Sequence, residues 1–121
     1  MSESTEQAIV INYFRAKYHK YVIHSIPNGT HVKSWAGRKK LKSEGLLKGV
    51  SDLFIPVPKG KYHGFYLEMK NVKKTQCSVS PDQKQFIQYA QKQGYKADWC
   101  AGANEAIILI NDYMSLKVES S

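Results

Sequence analysis

Residues 49–70 read GVSDLFIPVPKGKYHGFYLEMK, and their pattern predicts the central part of the fold. Two apolar runs, Leu-Phe-Ile and Phe-Tyr-Leu, stand on either side of a segment rich in Pro, Lys and Gly. Such a pattern predicts a β-hairpin. If its strands pair symmetrically about Gly60, Asp52 lies opposite Glu68, because the two residue numbers average to 60.

Three charged side chains are predicted to meet at the open end of this hairpin. Directly opposed residues on one face of a sheet have Cβ atoms roughly 4.5–5.5 Å apart, and alternation along the strand places Lys70 on the same face as Glu68. Two carboxylates that close repel each other, and a divalent cation between them relieves the repulsion. The alternative is structural, with Asp52 on the surface after a turn and Glu68 paired to Lys70.

The composition favours a polyanionic partner. The chain has 121 residues, enough for one small domain, and 18 Lys and Arg against 10 Asp and Glu give a net charge of +8. A basic balance of this kind is typical of nucleic-acid-binding proteins, although a merely soluble basic protein is the simpler alternative. No apolar run is long enough to span a bilayer and no signal peptide is recognised, so a cytoplasmic protein without membrane association is expected.

The cysteine and histidine pattern argues against a disulfide framework or a zinc site. Cys77 and Cys100 lie far apart without a CxxC pairing, which fits a reducing cytosol. The histidines His19, His31 and His63 have no metal-ligand spacing with them. No Gly-rich phosphate loop or Ser-His-Asp order is present, so no organic cofactor is expected.

A basic segment precedes the hairpin. It is expected to contact phosphates without reading sequence, while an ordinary solvated helix is the alternative. Trp35 stands at its start; stacking on an unpaired base is one role for it, and core packing is the commoner one. The predicted phosphate-contacting residues are Arg38, Lys39, Lys40, Lys42 and Lys48.

Periodicity and capping residues predict the remaining elements. Helices are expected from Ser4 to about residue 19, over about residues 37–47, from Ser80 to the Gly94 cap, and from Asn104 through residue 113. Strands are expected at residues 20–26 and 95–100 in addition to the hairpin. The order α-β-α-β-β-α-β-α indicates a single α/β domain over residues 1–121, with a mixed sheet flanked by helices and a tail that frays after about residue 117.

An ordered set of motifs resembles the VRR-NUC branch of the PD-(D/E)XK nucleases, particularly its stand-alone phage and bacterial members. The set consists of GVSD at residues 49–52, EMK at residues 68–70 and SPDQ at residues 80–83, supported by HSIPNG at residues 24–29 and by Gly94-Tyr95. The resemblance extends from about residue 6 to residue 113. Ser51 stands where the superfamily name has Pro, a position that binds no metal.

This resemblance implies a restriction-endonuclease-like core that binds Mg²⁺ or Mn²⁺. Such ions take oxygen ligands, here from Asp52, Glu68 and the backbone carbonyl of Met69, together with water or substrate. In the family an acid from the N-terminal helix completes the site, and Glu6 occupies the matching position. Glu3 is the second choice, and an acid that suits its own helix dipole is the structural alternative for Glu6.

Two further residues carry predicted catalytic roles. Lys70 either holds or deprotonates the attacking water or stabilises charge in the transition state, and an ion pair with Glu68 is the structural alternative. Gln83 matches the family's motif Gln, which helps to position the site or the scissile phosphate. Gln83 at the third helical position also suits a capping box, and both roles can hold together.

The function implied by the resemblance is metal-dependent hydrolysis of phosphodiester bonds in branched DNA such as four-way (Holliday) junctions, by a bacterial or phage-encoded protein. Symmetric cutting of a junction needs two active sites, which implies a twofold homodimer. Two alternatives stay open: a nucleic-acid-binding module that keeps the fold without cutting, and a nuclease of flaps, ends or RNA.

Overall fold

The computed structural model describes residues 2–28, 32–72 and 78–118, and its order of helices and strands confirms the prediction. The eight elements are α1 (Glu3–Lys17), β1 (His24–Ser25), α2 (Trp35–Ser43), β2 (Leu53–Ile55), β3 (Phe65–Lys70), α3 (Pro81–Lys92), β4 (Lys96–Ala101) and α4 (Ala103–Met114). None of the described helices is long and apolar enough to cross a membrane.

The four strands form one mixed sheet in the order β1-β2-β3-β4. The β1–β2 and β2–β3 pairs are antiparallel, and β4 joins β3 in parallel after the α3 crossover. Leu53 pairs with Leu67 and Ile55 with Phe65, so the hairpin is centred on Gly60. This register confirms the predicted symmetry and makes Asp52 and Glu68 the next opposed positions.

The core lies on the face of the sheet that α1 and α4 cover. Phe14 of α1 and Ile110 of α4 are fully buried, as are Leu53, Phe65 and Leu67 of the hairpin, which are at most 1% exposed. The opposite face carries α3, where Phe86 packs edge-on against Tyr66 with ring centroids 5.1 Å apart. Because side chains alternate along β3, Glu68 lies on the same face as Tyr66, away from the main core.

Three predicted boundaries differ from the structure. Helix α1 begins at Glu3, because the Ser2 side chain accepts the Thr5 N–H, so the prediction of Ser4 as the cap was wrong. Helix α2 begins at Trp35 instead of Gly37, because the Ser34 hydroxyl accepts the Gly37 N–H at 3.0 Å. The first strand is restricted to His24–Ser25, the two residues that pair with the short strand β2.

The start of α4 also differs from the prediction. Asn104 lies inside this helix, and Gly102 precedes it with a positive φ of 88° and no side-chain cap.

At the far end of the chain, the Gly60 N–H donates to the Lys117 carbonyl at 2.8 Å, which ties the segment after α4 to the hairpin turn. Residues 119–121, the end of the predicted frayed tail, lie outside the described residues.

Candidate active site

Asp52 and Glu68 meet at the open end of the hairpin. Glu68 is only 3% exposed. The Asp52 carboxylate accepts the Met69 N–H at 2.9 Å through Oδ2, and Asp52 is close enough to Glu68 to raise its pKa. The predicted juxtaposition of the two acids is therefore present in the fold.

The pair cannot carry two full negative charges easily. Burial raises the pKa of Glu68 to about 9, with further contributions from the hydrogen bond to Asp52 and from the Asp52 charge. The charge of Lys70 lowers the pKa of Glu68, and the charge of Glu3 raises it by a smaller amount. Near neutral pH the Glu68 carboxyl group is therefore protonated beside Asp52, and strongly shifted pKa values of this kind are found at functional sites more often than on ordinary surfaces.

A pocket of about 180 Å³ opens beside this pair. Asp52 and Glu68 form part of its wall, and Ser80 and Gln83 at the start of α3 form another part. The remaining lining comes from two loops, with Pro27 and Asn28 on one side and residues 47–50 on the other. A larger cavity of about 450 Å³, lined by Lys61, Lys92 and Lys96 among others, contains none of the predicted catalytic residues.

Gln83 closes the predicted capping box of α3. Its N–H donates to the Ser80 hydroxyl at 3.2 Å, and its Oε1 accepts the Ser80 N–H at 2.9 Å. The structural interpretation of Gln83 is confirmed. The cap also turns the side chain along the pocket wall, so a contact to a bound phosphate through the amide NH₂ group stays a prediction.

The oxygen donors of the site suit a hard divalent cation. Asp52 and Glu68 supply carboxylate oxygens, which Mg²⁺ and Mn²⁺ prefer. Met69 directs its N–H towards Asp52. The N–H and C=O of one residue in an extended strand point to the same side, so the Met69 carbonyl also faces the strand that carries Asp52.

Glu6 has a structural partner far along the chain. It is 6% exposed, and its Oε2 accepts the N–H of Ala103, the first residue of α4. This carboxylate supplies the N-terminal cap that Gly102 cannot, and it compensates the positive end of the helix dipole. Within residues 2–28, 32–72 and 78–118, no three His, Cys, Asp or Glu side chains come together as a metal cluster.

We expect Glu6→Ala to destabilise the fold by about 1–3 kcal/mol, because the buried Ala103 N–H loses its acceptor. Glu6→Gln retains an acceptor oxygen and should lose clearly less stability, as measured by urea denaturation. Calorimetric titration of Glu6→Gln with Mn²⁺ then tests the predicted ligand role separately. Parental Mn²⁺ affinity would assign Glu6 to the cap alone.

The predicted phosphate contacts divide between α2 and the pocket rim. The α2 residues Arg38, Lys39, Lys40 and Lys42 are all exposed. Arg38 also has a local role, since its Nε donates to the Val32 carbonyl at 2.8 Å. Lys48 lines the pocket and lies 3.4 Å from the Asp82 carboxylate.

Trp35 does not pack in the core. It is 77% exposed at the start of α2, so the commoner of its two sequence interpretations was wrong. The ring lies under the Lys39 ammonium, with Nζ 4.9 Å from its centroid. Helix α2 buries no side chain at all, so the pattern of apolar residues along it does not indicate a buried face.

Two features of the site escaped sequence reasoning. Ser51, next to Asp52, is fully buried, and its hydroxyl has no hydrogen-bond partner in the described part of the chain. Gly49 has a φ of 95° and lies against the backbone of Asp82, where an added Cβ would come within 2.6 Å. The glycine lets one pocket wall pack directly on the start of α3.

We expect Gly49→Ala to destabilise the protein more than Gly45→Ala. Both glycines have positive φ, and a side chain in such a conformation costs about 1–3 kcal/mol. Gly45 has nothing within 4 Å of the added Cβ, whereas Gly49 meets the Asp82 backbone. Urea denaturation of the two variants checks this, and equal losses would contradict close packing at Gly49.

Cys100, the cysteine in the described part of the chain, does not line the pocket. Burial raises the pKa of Cys100 to about 12, which keeps it a thiol and a poor metal ligand. Cys77 and His31 lie outside the described residues.

Comparison with known proteins gives a consistent result. A family model described as the VRR-NUC domain matches residues 2–104. A solved structure titled "VRR_NUC domain protein" superposes with a TM-score of 0.83 at 27% sequence identity, covering 98% of this chain and 92% of the other. A search of curated proteins found no match.

Proposed function

Because the chain belongs to the VRR-NUC family, a nuclease-type domain, we propose that it is a metal-dependent endonuclease that hydrolyses phosphodiester bonds in branched DNA. The observation that carries the proposal is the Asp52–Glu68 pair, in which the buried Glu68 carboxyl group keeps a proton beside the half-buried Asp52 at the wall of an open pocket. Removing that proton leaves two carboxylates that need a cation between them.

Asp52, Glu68 and the Met69 carbonyl would hold Mg²⁺ or Mn²⁺, with Glu6 or Glu3 as a further acid. A bound ion of this kind lowers the pKa of water and neutralises phosphate charge. The remaining interactions of the site come from residues of the chain itself. The Met69 N–H holds one oxygen of the Asp52 carboxylate at 2.9 Å and so restrains this pocket-lining side chain.

Lys70 follows Glu68 by two residues on the same face of β3, and its charge already lowers the pKa of that acid. An ammonium group at this point can orient the attacking water or stabilise the charge that develops on the phosphate. Gln83 and Lys48 on the pocket wall are placed to contact the phosphate oxygens. Phosphodiester cleavage by in-line attack of water needs this combination of positioning and charge neutralisation.

The choice of branched DNA rests on the family resemblance, with support from the charge distribution. A net charge of +8 and the exposed lysines of α2 suit a large phosphate surface. A four-way junction presents two equivalent scissile bonds, so a twofold homodimer belongs to the same proposal.

One assay tests the proposal. Labelled linear, flap and four-way DNAs are incubated with the protein in Mn²⁺ or in chelator. Nicks near the branch that require the metal are expected. Binding without cleavage would instead identify a non-cutting module, and equal degradation of every DNA would identify a general nuclease.

The α2 lysines are expected to determine the salt dependence of DNA binding. Each lost phosphate contact lowers the slope of log K against log salt by about 0.9. Replacing Lys39, Lys40 and Lys42 by Ala should therefore lower the slope by up to about 2.7. The matched control replaces Lys61, Lys92 and Lys96, which surround the other cavity; an equal loss there would show that only net charge matters.

A further inference from the structure

Helix α2 is built unlike the other helices. It buries no side chain, and in the part of the chain that the structure describes it makes no extensive contact with another helix or strand. Nine residues are too few for a stable isolated helix in water. Local bonds at its ends hold it, namely the Ser34 cap and the Leu46 N–H bond to the Leu41 carbonyl. The helix contributes little to the core, so its surface needs another explanation.

Trp35 and Lys39 form a flat aromatic surface with an ammonium group beside it. The Lys39 Nζ lies 4.9 Å from the indole centroid, yet the indole residue stays 77% exposed. The helix sequence WAGRKKLKS contains no acidic residue. An exposed indole surrounded by cations suits a nucleobase next to phosphates, since base stacking on aromatic rings is tolerant of sequence.

The end of α2 is connected to the pocket along the chain. Ser43 ends the helix, and Leu47, four residues later, lines the pocket. Nine helical residues span about 13 Å, which corresponds to about four nucleotides at the B-form rise of 3.4 Å. The helix length gives the scale of the spacing that the proposal requires, a few nucleotides between a phosphate in the pocket and a base at Trp35.

We propose that Trp35 stacks on an unpaired base of the DNA strand that is cut at Asp52 and Glu68. Bases inside a duplex are already stacked on their neighbours, so only a single-stranded stretch offers a free face to the indole. The inference rests on the proposed function and deepens it, because it narrows the branched substrates to those with unpaired bases near the scissile bond.

Binding measurements in an Asp52→Asn background test the proposal without cleavage. Two labelled DNAs are compared by fluorescence anisotropy, a blunt duplex and the same duplex interrupted by a six-nucleotide gap. Trp35→Ala is expected to weaken binding to the gapped DNA by about 5- to 150-fold, the range for one stacked base, and to change duplex binding less than about twofold. Trp35→Phe should recover most of the loss, because a phenyl ring also stacks.

Tyr89→Ala is the matched control, since Tyr89 is an exposed aromatic residue of α3, 60% accessible. It should bind both DNAs like the parent protein. Equal weakening of both DNAs by Trp35→Ala, or none, would overturn the stacking role. A change of oligomeric state on size exclusion with unchanged DNA binding would show that Trp35 contacts another protein copy instead.

A second measurement does not depend on a truncated side chain. In Trp99→Phe protein, Trp35 is the sole remaining indole of the two in the chain. Its fluorescence should be quenched by the gapped DNA and remain unchanged with the blunt duplex; the reverse pattern would contradict the proposal. Quenching without any Mn²⁺-dependent cleavage by the wild-type protein would refute the nuclease proposal while leaving the stacking site intact.

Discussion

Protein carrying Asp52→Asn is expected to bind branched DNA with nearly parental affinity and to cut it at least about 100-fold more slowly, the scale for losing one key electrostatic group. The amide keeps an oxygen that can accept the Met69 N–H, so the hairpin end should stay intact. The negative charge that would hold the cation is lost. Lys70→Ala should give a similar loss, because it removes the ammonium beside the pair.

Single-turnover cleavage and anisotropy binding on the same labelled four-way DNA separate the two effects. Asp112→Asn is the control for the carboxylate change, since Asp112 is an exposed residue of α4 on the other side of the sheet from α3. It should cut like the wild-type protein. Parental cleavage by either site variant would remove Asp52 or Lys70 from the catalytic machinery, and loss of binding with loss of cutting would indicate a structural defect.

The second large effect is a dependence of stability on pH and on divalent metal. The pKa of Glu68 rises from 4.5 in the unfolded chain to about 9 in the metal-free fold. The folded state therefore binds the extra proton between these values. Its stabilising contribution is complete below about pH 4.5 and is lost as the pH rises towards 9, with a slope of at most about 1.4 kcal/mol per pH unit.

Urea denaturation of wild-type and Glu68→Gln protein in chelator, between pH 5 and pH 9, isolates this contribution. The stability difference between them should shift in favour of Glu68→Gln as the pH rises. Glu44→Gln changes an exposed carboxylate and should follow the wild-type protein throughout. Parallel curves for wild-type and Glu68→Gln would show that the folded state does not hold an extra proton on Glu68.

In the wild-type protein, Mg²⁺ should counteract the loss of folding stability that accompanies rising pH. Binding of a cation to the pair requires loss of the Glu68 proton, so the stabilisation by a given Mg²⁺ concentration is expected to grow with pH across the same window. Glu68→Gln should gain little from Mg²⁺ at any pH. If Mg²⁺ stabilises both proteins equally, the cation does not bind at Glu68.

Much of the site could be read from local sequence patterns. The Pro/Gly turn and the period-two alternation determine the hairpin register, and Leu53–Leu67 pairing confirms it. The same register places the Asp52 and Glu68 side chains on one face. The Ser80–Gln83 capping box is equally local, since all its donors and acceptors lie within three residues.

Other features depended on how distant segments pack. Glu6 reaches the Ala103 N–H across 97 positions of the chain, and no local pattern indicates that α4 lacks its own side-chain cap. The exposure of Trp35 could not be predicted from the sequence either. An aromatic residue near a basic run does not indicate whether another part of the protein covers it. Gly49 and Lys48 became pocket residues only when their loop met the start of α3.

The order of elements, the strand register and the meeting of Asp52 with Glu68 follow from local sequence patterns, because turn chemistry and side-chain alternation act over a few residues. The burial of Glu68, the raised pKa of its carboxyl group and the pocket beside it do not follow from such patterns. These depend on solvent exclusion by helices and loops that are remote in the chain, and that exclusion is a property of the assembled fold.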